Sequence, residues 1–289
     1  MKSVIALAVC SATLLAGCST LPESTNNSNE TTVNVVASTD VYGDIAAQVG
    51  GDLISVTSLI DGAARDPHSF EASARDQLAV LKADVILANG GGYDNFIDVL
   101  VSASESDAVV LSASEIVGLA EGENEHLWYD FDAMDAVARE FTNTLAGLDA
   151  ANAAAYEVNY ELFSENLLAL AESLPLTDSS RVAMTEPVPL YLLERAGLVN
   201  VTPDSFTEAI EEGADVPPLA LQQTLALFER GDLVLLAYNS QTASPETERV
   251  REAAVAAGIP VVDFTETLPE GESYLSWMAT NIAILGDAL

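Results

Sequence analysis

The sequence predicts an α/β protein built from two parallel-sheet lobes, with helices on both faces of each sheet and one long central helix joining them. Three observations carry this. Short apolar runs alternate with helix-like stretches, the pattern of parallel strands connected by crossover helices. The alternation stops once, at residues 150–174, where neither Gly nor Pro interrupts a run of about 25 residues, or about 40 Å as a helix. The strand-helix pattern then restarts. A rod of that length is unusual for a crossover and suits a connection between lobes. With 289 residues and a hydrophobic share of 49%, the chain can fill more than one core.

Taken in order, residues 33–38 read as a strand ending in Thr39-Asp40, and 41–49 as a helix closed by Gly50-Gly51. A β-rich run over 53–59 leads into Asp66-Pro67-His68. Proline fixes φ and keeps the preceding residue out of the helical region, so this is a turn. An amphipathic helix over 75–82 follows, then a buried-type strand at 85–88 with the loop Asn89-Gly90-Gly91-Gly92 at its carboxyl end. Residues 96–102 read as a helix and 108–111 as a short strand. The acidic loop 118–125 leads into His126-Leu127-Trp128-Tyr129-Asp130, and 132–145 reads as a helix.

Beyond the long helix, a strand at 181–184 runs into Thr185-Glu186-Pro187, and a helix over 190–196 is closed by Gly197. A helix over 218–230 ends at Gly231. The strand 233–237 ends in Tyr238-Asn239-Ser240-Gln241, and the helix 247–257 is capped by Gly258. The last strand, 259–264, precedes Thr265-Glu266-Thr267, and the helix 274–285 closes the chain. The expected lobes are 33–148 and 176–289, with the linking helix at 149–175.

Residues 1–17 read as an export signal. Lys2 supplies the positive end, and the apolar stretch 4–16 is broken only by Cys10, Ser11 and Thr13. It is short for a membrane span. Its ending, Leu14-Leu15-Ala16-Gly17-Cys18, resembles the bacterial lipobox, which implies cleavage before Cys18 and lipidation of its thiol. A diacylglyceryl-type anchor is enough for stable attachment, on the extracellular or periplasmic side. Residues 18–32, rich in Ser, Thr and Asn, read as a flexible tether. Once Cys10 is removed, the single remaining cysteine allows no internal disulfide.

The chain carries 45 acidic and 10 basic residues, a formal net charge of -35. Nucleic-acid binding and polybasic contact with anionic lipid both need the opposite sign, so both are excluded as functions. An acidic surface attracts cations at long range, and it equally fits adaptation to a salty exterior.

The sequence has only two histidines, His68 and His126, both in loops of the first lobe. Glu186 and Glu266 follow strands of the second. Open α/β sheets bind ligands beyond the carboxyl ends of their strands, so a cleft between lobes could gather all four. Two neutral imidazoles and two carboxylates around a divalent cation make a formally neutral set. Four protein ligands leave no obvious open position, which describes a holding site rather than a catalytic one. In so acidic a chain most glutamates are solvated surface charges, so residue type alone does not establish convergence. The rival reading is an extracellular metalloenzyme such as a hydrolase. It needs an open coordination position, and no His-Glu-x-x-His motif occurs. The Asn89-Gly90-Gly91-Gly92 loop lacks the Lys-Ser/Thr of a phosphate-binding loop.

From Val33 onward the chain resembles the metal-binding solute receptors of bacterial ABC importers, the manganese/zinc-type periplasmic binding lipoproteins. The residues that carry the resemblance are Asp66-Pro67-His68-Ser69-Phe70-Glu71, Leu81-Lys82-Ala83-Asp84-Val85-Ile86 with Asn89-Gly90, Glu125-His126-Leu127-Trp128-Tyr129-Asp130, Thr185-Glu186, and Gly258-Ile259-Pro260-Val261-Val262. The resemblance implies His68 and His126 as the first two ligands and Glu186 as the third, where zinc-type members often carry His. The fourth ligand of the family is usually Asp after the last strand. Here Glu266 stands at that place, and Asp263 is its rival, on the opposite strand face by period-2 alternation. Asp66, Glu71, Asn239 and Gln241 are candidate outer partners that orient ligands. Trp128 and Trp277 read as core. The oxygen-rich set, together with an acidic loop at 121–125 that lacks histidine, leans towards Mn²⁺, or Fe²⁺, while Zn²⁺ binds the same donors with higher intrinsic affinity. The implied function is capture of one such ion and delivery by a monomeric, lipid-anchored receptor to an ABC permease driven by a cytoplasmic ATPase. Release would come by small loop shifts or by protonation of His68 and His126. A surface-adhesin role, sometimes attached to the family, has no independent support in the residues.

Overall fold

The computed structural model describes residues 32–62 and 70–289. Residues 1–31, where the export signal, Cys18 and most of the tether are expected, and residues 63–69, with Asp66 and His68, lie outside the described residues. The first lobe runs β1 (Val33–Thr39), α1 (Asp40–Gly50), β2 (Ile54–Ile60), α2 (Ala74–Leu81), β3 (Val85–Ala88), α3 (Phe96–Ser104), β4 (Val109–Ser112), α4 (Ala113–Val117) and α5 (Phe131–Leu148). The long helix is α6 (Ala153–Ser173). The second lobe follows as β5 (Ser180–Met184), α7 (Leu190–Arg195), β6 (Leu198–Asn200), α8 (Asp204–Glu211), α9 (Pro218–Phe228), β7 (Leu233–Asn239), α10 (Pro245–Ala256), β8 (Val261–Phe264) and α11 (Tyr274–Ala288).

Each lobe holds a four-stranded sheet, and the two sheets share one topology. The orders are β2-β1-β3-β4 and β6-β5-β7-β8, with every pairing parallel. In both sheets the order reverses between the first and third strands of the lobe. The crevice at such a reversal lies beyond the carboxyl ends of those strands and is where open α/β sheets bind ligands. Here it falls at the ends of β1 and β3 in one lobe and of β5 and β7 in the other.

Strand alternation sorts the core. Val35, Ala37, Val85 and Leu87 face an inner cluster, while Val36, Ile86 and Ala88 face a smaller outer one. In the second sheet Val182 and Met184 face inward and Ala183 outward. The inner cluster is continuous across the molecule. It joins Val35 and Leu87 to Val182, Met184 and Leu235 through Trp128, Tyr129, Phe163, Tyr274 and Trp277. The two lobes therefore share an inner core, and each keeps a smaller outer cluster of its own. Interiors packed at crystal-like density resist shear, so large rigid-body opening would break this cluster.

Helix α6, 21 residues and about 32 Å long, buries Tyr156, Tyr160, Phe163 and Leu167, a stripe at helical spacing. Cross-lobe hydrogen bonds add directionality. Asp40 Oδ1 accepts from Leu268 N at 3.1 Å and Asp44 Oδ2 from Tyr274 N at 2.8 Å. The Tyr129 hydroxyl donates to Thr265 O at 2.9 Å and the Tyr274 hydroxyl to Trp128 O at 2.8 Å.

The element boundaries differ from the sequence reading for local reasons. Helix α10 starts earlier because Ser244 caps it through Thr247 N and Pro245 occupies its first turn, where no N–H is needed. Strand β8 starts later, at Val261, because Pro260 has no N–H to give a ladder. The three-residue β6 is too short for a clear period, and the eight-residue α8, which buries Phe206, Thr207, Ala209 and Ile210, is an element the sequence reading did not place.

Candidate metal centre

Glu186 sits two residues past the end of β5, Asn239 ends β7, and Glu266 lies two residues past β8. All three are buried, with Glu186 and Glu266 each 1% exposed. One amide brackets the two carboxylates. Asn239 Nδ2 donates to Glu186 Oε2 at 2.5 Å and to Glu266 Oε1 at 2.7 Å, so both of its hydrogens are used. Asn239 is itself fixed, since its N–H donates to Thr185 Oγ1 at 3.0 Å and its Oδ1 accepts from Gln241 N at 2.9 Å. Thr242 Oγ1 donates a second bond to Glu186 Oε2 at 2.5 Å. Gln241 Oε1 accepts from Glu266 N at 2.5 Å, and Gln241 Nε2 donates to Thr267 Oγ1 at 3.0 Å. The rival Asp263 is exposed on β8, so alternation turns it away from this cluster.

His126 comes from the first lobe and is fully buried. Its Nδ1 lies 2.7 Å from Asn124 Oδ1. The orientation of Asn124 is settled by its other contacts. Its Nδ2 donates to Pro187 O at 3.0 Å, and its Oδ1 also accepts from His126 N at 3.3 Å. A flipped amide would set oxygen against the Pro187 carbonyl. Nδ1 is therefore the donor to Asn124, and in the neutral ring the lone pair is then left on Nε2, the tautomer a metal ligand needs. Pro187 directly follows Glu186, and Tyr191 of α7 donates to Asn124 O at 2.6 Å, so the His126 loop is docked on the second lobe beside a carboxylate. From the other side, Asn89 Nδ2 donates to Glu125 O at 2.9 Å. The loop after β3 that carries Asn89 turns at Gly90, whose φ of 72° is left-handed. A side chain at Gly90 would also collide with the hydroxyls of Ser112 and Ser114.

Aromatic rings wall the centre. Tyr93 lies 4.8 Å from Trp128 and 6.0 Å from His126, and Trp128 lies 5.1 Å from His126, between ring centres. The Tyr93 hydroxyl donates to Glu266 Oε2 at 3.3 Å. Burial, and then the charge of Glu266, hold the Tyr93 phenol well above its usual pKa, so it stays a donor.

Two further carboxyl groups join the centre. Candidate ligand atoms of Glu125, His126 and Glu211 lie within 4.8 Å of one another. Glu211, at the end of α8, places Oε1 3.8 Å from His126 Nδ1. Its pKa is pushed up to about 9, first by burial and then by the charges of Glu125, Glu186 and Glu266. At neutral pH Glu211 therefore keeps its proton. Glu211 and Thr242 also form part of the wall of a cleft of about 500 Å³ in the second lobe.

Of the sequence-predicted ligand candidates, Glu186 and Glu266 are joined through Asn239, and His126 is linked to Glu266 by way of Tyr93, while the close donor cluster around His126 is made with Glu125 and Glu211. His68 and Asp66 lie outside the described residues, and Glu71 is exposed. Asn239 and Gln241 contact the carboxylates directly. Sequence reading did not single out Tyr93, Asn124, Glu125, Glu211 or Thr242. Only Glu125 had a local signal, its place next to His126.

Two like-ordered parallel sheets, a long connecting helix and a buried nitrogen-and-oxygen donor set between the lobes define a two-lobed solute receptor. The chain belongs to the family described as zinc-uptake complex component A, periplasmic, whose profile matches residues 35–288. It is 25% identical to the manganese ABC transporter substrate-binding lipoprotein scaA of Streptococcus gordonii, over 95% of this chain and 94% of that protein. It is 28% identical to the manganese-binding lipoprotein MntA of Bacillus subtilis, over 64% of each. Among solved structures, the fold is shared with the substrate-binding protein FpvC of Pseudomonas aeruginosa in complex with Mn²⁺. The TM-score is 0.73 at 24% identity, over 89% of this chain and 97% of that one.

Proposed function

We propose that this chain is the extracytoplasmic receptor of a metal importer, which captures one divalent transition metal ion between its lobes and delivers it to an ABC permease powered by a cytoplasmic ATPase. The observation that carries this is the pair Glu186 and Glu266, buried and held by a single amide, with the Tyr93 hydroxyl on Glu266 Oε2 and the Tyr93 ring 6.0 Å from the buried His126 ring. Two buried carboxylates are costly unless a cation or donors compensate them. The full ligand set we assign is His126, Glu186 and Glu266 with His68. Family membership fits a carrier, and the reading includes no enzymatic turnover.

Mn²⁺ is the cargo this ligand set favours over a three-histidine site, with Zn²⁺ as its competitor by intrinsic affinity. Cys18 is the anchoring residue, and the receptor acts as a monomer. The shared core supports delivery by local loop movement rather than wide opening. Elemental analysis of protein purified without chelator, followed by calorimetric titration of metal-free protein with Mn²⁺ and Zn²⁺, tests the assignment. One ion per chain is expected. Absence of any bound or titratable divalent ion would refute the function, and zinc alone, bound far more tightly, would refute the manganese preference.

A further inference from the structure

Glu266 is one methylene longer than the aspartate that the family resemblance leads one to expect, and the extra rotor must be held if the carboxylate is to meet a cation in one pose. The backbone N–H of Glu266 is tied to Gln241 and its Oε1 to Asn239, both from the second lobe. Its Oε2 is reached from the first lobe, 173 positions away in sequence, by the Tyr93 hydroxyl at 3.3 Å. Tyr93 is 2% exposed, and its ring is wedged against Trp128 and His126. The hydroxyl is thus carried on a rigid ring rather than a flexible stem. At 3.3 Å the contact is longer than an ordinary hydroxyl bond.

We propose that Tyr93 is a positioning residue for the cargo site, which fixes the Glu266 carboxylate from across the lobe contact so that the longer side chain presents its oxygen in a single pose. The proposal rests on the reading of Glu266 as a ligand. It follows that an aspartate at position 266 would end short of the hydroxyl and escape this control.

The test compares full-length protein with Tyr93→Phe, Glu266→Asp, the double variant and Glu266→Ala. Affinity for Mn²⁺ and for Zn²⁺ is measured by chelator competition, and the zero-field splitting of bound Mn²⁺ by electron paramagnetic resonance. Tyr93→Phe is expected to weaken binding about 10-fold, the lower end of what losing an outer partner of a metal ligand costs, and to change the Mn²⁺ spectrum. In the Glu266→Asp background the same change should leave affinity and spectrum unaltered. Unchanged affinity in Tyr93→Phe, or an equal loss in both backgrounds, would overturn the proposal, because packing alone would act in both. Wild-type affinity in Glu266→Ala would instead overturn the ligand reading.

Discussion

The two lobes build their halves of the centre from different materials. The second lobe supplies charge, and surrounds it with polar donors: Asn239, Thr242 and Gln241 all bond to Glu186 or Glu266. The first lobe supplies an imidazole beside the Glu125 carboxylate, and surrounds the imidazole with rings, Tyr93 and Trp128, plus one amide, Asn124. The physics of each ligand explains the difference. Buried carboxylates repel one another and need directional N–H and O–H groups. A neutral imidazole has little charge to compensate and needs only orientation and a fixed tautomer. Each half is also finished by the other lobe, Asn124 through Pro187 and Glu266 through Tyr93.

The largest effects should come from the proposed ligands. His126→Ala, Glu186→Ala and His68→Ala are each expected to weaken metal binding by more than about 100-fold, the upper end of the cost of losing an outer partner. Calorimetric titration checks this, with circular dichroism to show that the fold is intact. A small loss in Glu186→Ala would break the assignment of charge to the second lobe.

Next is the bracket. Asn239→Leu removes both donors while keeping shape. It should lower affinity by about 10- to 100-fold and destabilise the metal-free protein by about 1–3 kcal/mol for each carboxylate oxygen that loses its donor. Saturating metal should recover most of the stability, because the cation replaces the donors. Denaturant unfolding with and without Mn²⁺ measures both. Equal destabilisation in the two states would mean that Asn239 acts only through packing.

Glu211 gives a pH signature. Its folded pKa of about 9 lies above the ordinary carboxylate value. The native state therefore holds a proton that the unfolded chain releases, and this contribution to stability is full at acid pH. It is lost as pH rises through about 9. Metal-free protein should lose stability between pH 5 and 9, with a slope from this group of at most about 1.4 kcal/mol per pH unit. Glu211→Gln should flatten the slope, as read by urea unfolding across that range. An unchanged slope would assign the proton elsewhere.

The smallest effect is a control on the lobe contact. Tyr129→Phe removes the hydroxyl that donates to Thr265 O and should cost about 1 kcal/mol, with metal affinity unchanged within about twofold. A large loss of affinity would show that cross-lobe bonds outside the centre also set the ligand pose.

Local rules account for what could be read from the linear chain. Period-2 and period-3.6 burial, glycine stops and the uninterrupted run before Pro175 specify strands, helices and the two-lobed α/β class, because backbone hydrogen bonding and burial act over neighbours. The same rules place Glu186, Asn239 and Glu266 at the carboxyl ends of strands, and alternation separates Glu266 from Asp263. Only the tertiary structure decided that one amide holds both carboxylates, that Asn124 sets the His126 tautomer, and that Tyr93 and Glu211 enter the centre. The longest of those contacts joins residues 173 positions apart, across lobes whose packing no periodicity encodes. One glutamate among the 25 of so acidic a chain looks the same whether solvated or buried, and burial is a property of the folded neighbours alone.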